Sequence, residues 1–186
     1  MSGKIIVICA PSGTGKSTLL NRLKLEIPEL VWSVSCTTRP MRSGEVHGKD
    51  YYFIKEETFQ RQISNQEFIE WALVHSNYYG TSKRFVDEGL ANNHKMLFDL
   101  DVQGADAMKQ IYGDLAQVIF IEPPSIEELE KRLRVRGTDS DKVIHERIEN
   151  ARKELLRKHD FDYIIMNDFV DGAYRNLKTL VERILI

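Results

Sequence analysis

Two kinds of apolar pattern alternate along the chain. Short unbroken runs rich in Ile and Val read as strands buried on both faces, and apolar residues three or four apart read as helices. The first run, residues 4–10, is of the strand kind, and turn residues follow it from Pro11 to Gly15. Leu19, Leu20, Leu23 and Ile27 then recur at helical spacing until Pro28 ends the helix. Further strands are predicted at residues 95–100, 117–121 and 163–166, with helices at 105–112, 126–135, 143–158 and 173–185. Strands alternating with helices imply an α/β fold whose parallel sheet is covered on both faces.

Two stretches break this alternation. Residues 33–81 are rich in Thr, Tyr, Phe and Trp, with turn signals at Arg42-Ser43-Gly44 and His47-Gly48. They read as a small, mostly antiparallel insert. Residues 136–141 are polar and contain Gly137, which suggests a mobile loop between two helices. The resulting division is one domain: a core of residues 1–32, 82–135 and 148–186, an insert at 33–81 and a lid at 136–147.

Composition narrows the function. The 186 residues are 42% hydrophobic and 29% charged, enough apolar content for a packed core and too much for a disordered chain. A net charge of -2 with interleaved signs offers no field that would seek nucleic acid or an anionic membrane. The run at Ile5-Ile6-Val7-Ile8 is too short for a signal peptide or a membrane span, and Ser2 argues against N-myristoylation. Cys9 and Cys36 lack metal-ligand spacing and read as reduced thiols of a cytoplasmic protein. The oligomeric state is left open.

Residues 10–17, Ala-Pro-Ser-Gly-Thr-Gly-Lys-Ser, match the Walker A pattern with alanine for its first glycine. Glycines let backbone N–H groups turn inward around phosphate oxygens. Lys16 can reach the β- and γ-phosphates, the Ser17 hydroxyl can bind Mg²⁺, and the positive end of the following helix points at the anion. The loop selects ATP-type donors but not the reaction.

Three clusters bear on the acceptor. Arg39 and Arg42, three apart on a loop, can fork onto one phosphate, although surface arginines at this spacing are common. Tyr51 and Tyr79 carry hydroxyls that can join them, and Glu70 sits among apolar neighbours where a carboxylate needs a partner. Asp99 and Asp101 close an apolar strand, at the carboxyl edge where parallel sheets bind ligands. A Walker B acid ends a strand in this way, and so does an ordinary cap.

Taken together, the clusters give the chain a resemblance to guanylate kinases, P-loop nucleoside monophosphate kinases that phosphorylate GMP. The motifs that carry it are S-x-T-T-R-x-x-R-x-G-E-x-x-G-x-D-Y from Ser35 to Tyr51, F-I-E-W at Phe68, Y-G-T at Tyr79, D-x-D-x-Q-G at Asp99 and P-P-S at Pro123. Cys9 and Ala10 depart mildly from the family pattern. The resemblance implies ATP contacts at Pro11, Ser12, Gly13, Thr14, Gly15, Lys16, Ser17, Thr18, Arg132, Arg136, Asn167 and Asp168. For GMP it implies Ser35, Arg39, Arg42, Tyr51, Glu70, Tyr79, Gly80, Thr81, Asp99 and Asp101. Transfer itself would involve Lys16, Arg42, Arg136 and Arg147, and Mg²⁺ would sit on Ser17 and, through water, on Asp99. Carboxylates suit the N1–H and N2 amino donors of guanine, and hydroxyls suit its O6 and N7. Arg134, Arg152, His75 and His159 need no role in this scheme. The alternative is a non-catalytic scaffold of similar fold that binds a phosphorylated partner. Its usual mark, an incompetent phosphate loop, is missing here.

Overall fold

The computed structural model describes residues 3–74, 76–137 and 139–186; His75 and Thr138 lie outside the described residues. Five parallel strands form the central sheet in the order β2-β7-β1-β8-β9. Here β1 is Lys4–Cys9, β2 Val31–Trp32, β7 Lys95–Asp99, β8 Ala116–Glu122 and β9 Tyr163–Met166. The central strand β1 is an unbroken apolar run because neither of its faces meets water. Ile6 and Ile8 point to one face, where they pack with Leu19, Leu20 and Leu23 of α1 (Lys16–Glu26) and Tyr174, Leu177 and Val181 of α7 (Val170–Leu185). Ile5 and Val7 point to the other, against Val86 of α3 (Lys83–Ala91) and Ala105 and Met108 of α4 (Val102–Tyr112).

The insert has a sheet of its own, in the order β4-β3-β6-β5. Strand β3 (Cys36–Thr37) pairs antiparallel with β6 (Asn77–Ser82) and parallel with β4 (Tyr52–Phe53), while β5 (Phe68–Val74) pairs antiparallel with β6. A separate small core of Cys36, Phe59 and Phe68 holds it, with Phe59 stacked 4.3 Å from Phe68. Phe59 comes from α2 (Glu56–Ser64), a helix the aromatic-rich segment did not announce. Helix α3 was likewise not expected, and it carries Gly89 within its nine residues.

Beyond β8, α5 (Ile126–Arg136) and α6 (Asp141–Leu156) pack through Leu129, Leu133, Ile144, Ile148 and Ala151. Arg136 closes α5 and α6 opens at Asp141, so the connection is shorter than the polar run suggested. The insert and the α5–α6 pair each bury a cluster separate from the two sheet cores.

Candidate functional site

The phosphate loop joins the end of β1 to the start of α1, at the carboxyl edge of the sheet. Gly13 and Gly15 have φ of 92° and 87°, left-handed values that side chains other than glycine rarely adopt. Close packing adds to the requirement. A Cβ on Gly13 would lie 2.7 Å from Leu133 Cδ2, and one on Gly15 would lie 2.7 Å from Asn167 Nδ2. The loop also holds itself, since the Thr14 hydroxyl donates to the Pro11 carbonyl at 2.8 Å. Lys16 Nζ lies 2.6 Å from Asp99 Oδ1 and donates to the Leu100 carbonyl at 2.8 Å. The ammonium is thereby parked at the end of β7. Ser12, Ser17 and Thr18 are exposed along the mouth.

A cavity of about 580 Å³ opens over this loop, lined by residues 10–18 together with Asp101, Arg132, Leu133, Arg136 and Glu154. A neighbouring cavity of about 360 Å³ is lined by Ile63, Gln66, residues 68–72, Gln103, Gly104, Ala107 and, again, Asp101; Ser35, Arg39, Arg42, Tyr51, Tyr79 and Thr81 are not among its walls. The two meet at Asp101. Strand β7 ends at Asp99, so Asp101 is not on it, as the alternation had suggested. Asp101 instead caps α4, accepting from Gly104 N at 2.8 Å. The capping role and the cavity position coexist in one carboxylate. A hollow of comparable size, about 630 Å³, lies at the opposite edge of the sheet around Lys4, His94 and Lys95 and carries none of the motifs.

On the insert, Glu70 accepts a hydrogen bond from the Thr81 hydroxyl at 2.5 Å. Burial pushes the Glu70 carboxyl above the usual carboxylate range; the Thr81 bond opposes this and the Asp101 charge adds to it. Gly80 is buried beside Thr81, and Ser35 is half-buried just before β3. The two threonines of the T-T-R motif fasten the arginine loop to β6. Thr37 donates to the Tyr78 carbonyl at 2.9 Å, and the Thr38 hydroxyl accepts from Tyr78 N at 2.9 Å. Arg39 then stands over the Tyr51 ring at 5.5 Å, and the Tyr51 and Tyr79 rings meet edge to face at 5.9 Å. Arg42 is exposed on the same loop.

Glu45 ties this group together, and sequence reasoning gave it no role. Arg39 donates to both of its oxygens, at 3.0 and 2.7 Å, and the backbone N–H of Arg42 donates to it at 2.7 Å. Such bonding, led by Arg39, holds the Glu45 carboxyl below its ordinary value. Glu154 of α6 was also missed. It is half-buried against the phosphate-loop cavity, and burial raises its carboxyl, with the Asp101 charge adding and Lys16 opposing. Glu45 lies within the motif from Ser35 to Tyr51, which gives it no partner, and no local pattern marks Glu154.

The arginines of α5 and α6 converge from the far side. Arg147 Nη1 donates to Ser12 Oγ at 2.6 Å, and Arg147 Nη2 lies 3.3 Å from Asp139. Arg132 bonds Glu128 at 3.2 Å and the Asn167 carbonyl at 3.1 Å, while Arg136 lines the cavity with its side chain exposed. Asp168 is exposed, and its carboxylate accepts from Phe169 N at 2.7 Å. Arg134 pairs with Glu130 and Asp141, and Arg152 with Glu149, as solvated face residues do.

A phosphate loop at the switch point of a parallel sheet, with a second cavity between insert and core that shares Asp101 with it, defines a P-loop phosphoryl-transfer protein. A family profile for guanylate kinase matches residues 2–184. The guanylate kinase of Lawsonia intracellularis is 49% identical over 179 residues, 95% of this chain and 83% of that protein. The guanylate kinase of Oleidesulfovibrio alaskensis is 50% identical over 179 residues, covering 95% and 85%. The crystal structure of guanylate kinase from Anaplasma phagocytophilum matches with a TM-score of 0.72 at 32% identity, over 98% of this chain and 86% of that one. This chain belongs to the guanylate kinase family.

Proposed function

We propose that the chain transfers the γ-phosphoryl group of ATP to GMP, and more weakly to dGMP, giving ADP and GDP. The observation that carries this reading is the pair of cavities meeting at Asp101. One is walled by the phosphate loop, the other by the carboxylate of Glu70. Glu70 and Asp101 would accept from guanine N1–H and the N2 amino group, and Ser35 and Thr81 would serve its acceptors. Adenine lacks both of those donors. AMP would leave the acids unpaired, a mismatch that rejects ligands by about 10⁴-fold.

Arg39, Arg42, Tyr51 and Tyr79 would hold the GMP phosphate. One of its ionised oxygens attacks the γ-phosphorus in line and forms the new P–O bond. The bond from γ-phosphorus to the bridging oxygen breaks, and ADP leaves with that electron pair. No general base is required, so positioning and charge neutralisation by Lys16, Arg42, Arg136 and Arg147 supply the catalysis. The Ser17 hydroxyl and the Asp99 carboxylate are hard oxygen donors at the mouth of the loop, as Mg²⁺ requires, and Mg²⁺ bound there would neutralise phosphate charge. Asp99 would act through a water.

Residues 33–81 and 136–147 would swing as acceptor cover and lid over the core. The cytoplasm and purine nucleotide metabolism are the setting this reading implies. No helix among the described residues is long and apolar enough to cross a membrane. The test is ADP release with ATP and Mg²⁺ in the presence of each nucleoside monophosphate in turn. GMP should be turned over fastest, followed by dGMP. Comparable rates with AMP, CMP or UMP would overturn the assignment. Binding of GMP without ADP release would favour the scaffold.

A further inference from the structure

Asn167 follows β9 and is only 2% exposed, beneath the phosphate loop. Its side-chain Nδ2 donates to the Thr14 carbonyl at 2.6 Å, across 153 positions of sequence. Its Oδ1 is buried without a hydrogen-bond partner. The orientation of the amide therefore follows from Thr14 alone, because a flip would set two oxygens face to face. One neutral hydrogen bond set against one orphaned acceptor is a poor contribution to stability. Such a residue needs another explanation, and its neighbours supply one.

The backbone of Asn167 is pinned as firmly as its side chain is aimed. Its N–H donates to the Glu122 carbonyl at 2.8 Å, at the end of β8. Its carbonyl accepts from Arg132 Nη1 at 3.1 Å, and the next carbonyl, that of Asp168, accepts from Arg132 Nη2 at 3.4 Å. Nδ2 also lies 2.7 Å from where a Cβ on Gly15 would be, so the atom that bonds the Thr14 carbonyl packs against Gly15 as well. A carbonyl held down at Thr14 keeps the N–H of the same peptide turned toward the cavity.

The geometry points to Asn167 as a positioning residue for the phosphate loop, one that fixes the Thr14–Gly15 peptide and links it to Arg132. Its amide then serves the loop, where the family resemblance had implied a direct contact with ATP. This inference rests on the reading above in one respect, namely that the loop receives the donor's triphosphate.

A ligand with phosphates and no base separates the two roles. Affinities for ATP–Mg²⁺ and for inorganic tripolyphosphate–Mg²⁺ are measured by calorimetry on the wild type and on Asn167→Ala. Both should fall by the same factor, roughly 3- to 10-fold, the worth of one buried hydrogen bond, with GMP affinity unchanged. Asn167→Asp keeps the shape and removes the donor. It should show at least the same loss, and it carries the test if the alanine variant does not fold. A loss confined to ATP would make Asn167 a base contact and overturn the proposal, as would no loss at all. A wild-type protein that binds neither ligand would instead sink the phosphotransferase reading itself.

Discussion

Arg147 of α6 donates to the Ser12 hydroxyl of the phosphate loop across 2.6 Å, and the two are 135 residues apart in the chain. The guanidinium therefore stands at the mouth of the loop before any phosphate arrives. A serine hydroxyl is a weak holder for it, and a phosphoryl oxygen would take its place. Arg136, at the end of α5, faces the same cavity. If these arginines meet charge chiefly in the transition state, their loss lowers kcat more than it raises KM. Arg136→Met and Arg147→Met are each expected to reduce kcat by about 10²-fold or more. Steady-state kinetics decide, and a raised KM for ATP at unchanged kcat would reduce them to ordinary binding groups.

Glu70 should reveal itself through pH. Burial raises its carboxyl in the folded chain above the unfolded value. A group with this sign contributes most below the unfolded value and loses that contribution as pH rises through the raised one. Once ionised, Glu70 thus detracts from stability. Glu70→Gln should raise the melting temperature of the nucleotide-free protein above the raised Glu70 value and leave it unchanged well below the unfolded one. If Glu70 accepts from guanine N–H groups as proposed, GMP binding should run the other way, since those groups need the carboxylate. GMP affinity should fall as pH drops through the raised Glu70 value, and Glu70→Gln should remove that part of the profile. Glu70→Ala should weaken GMP by about 1.5–3 kcal/mol while ATP is nearly unaffected. Equal losses for the two nucleotides would mark Glu70 as structural.

Glu45 is expected to act through Arg39. It holds both arms of that guanidinium and the backbone of Arg42. Without it, Arg39 would have to be ordered anew each time a phosphate binds. Glu45→Ala should raise KM for GMP by roughly 3- to 10-fold with KM for ATP unchanged, in line with one lost hydrogen-bonded support. An unaltered KM for GMP would show that the Tyr51 and Tyr79 rings suffice to hold the fork.

What could be read from the sequence was contiguous. The phosphate loop is eight adjacent residues between a strand and a helix, and the two-sided burial of β1 is written in its own apolar run. Helix α2 was hidden by the aromatic residues around it, and α3 by its short length and Gly89. Asp101 was placed at the strand's end because alternation continues two residues past the point where the ladder stops; an Asp directly before a helix is an N-cap signal that could have corrected this. The ties of Arg39 to Glu45, Arg147 to Ser12 and Asn167 to Thr14 are set by how distant elements meet. No periodicity within a segment encodes them.

Gly15 is where local conformation and distant packing make the same demand. Its φ of 87° would cost an alanine about 1–2 kcal/mol, as left-handed backbone does for residues with a Cβ. The added carbon would also stand 2.7 Å from Asn167 Nδ2, inside contact distance. Asn167 cannot simply retreat, because its backbone is bonded to Glu122 on one side and Arg132 on the other. The loop must give instead, at the Thr14–Gly15 peptide. Gly15→Ala should therefore fold, with a small loss in melting temperature, and lose most of its affinity for ATP and tripolyphosphate alike. GMP affinity should persist, since this peptide does not line the cavity beside Glu70. Removing the amide should relieve part of the clash. The double variant Gly15→Ala with Asn167→Gly is thus expected to bind tripolyphosphate better than Gly15→Ala alone. If it binds no better, the defect lies in backbone conformation, and the packing of Asn167 on the loop contributes nothing to it.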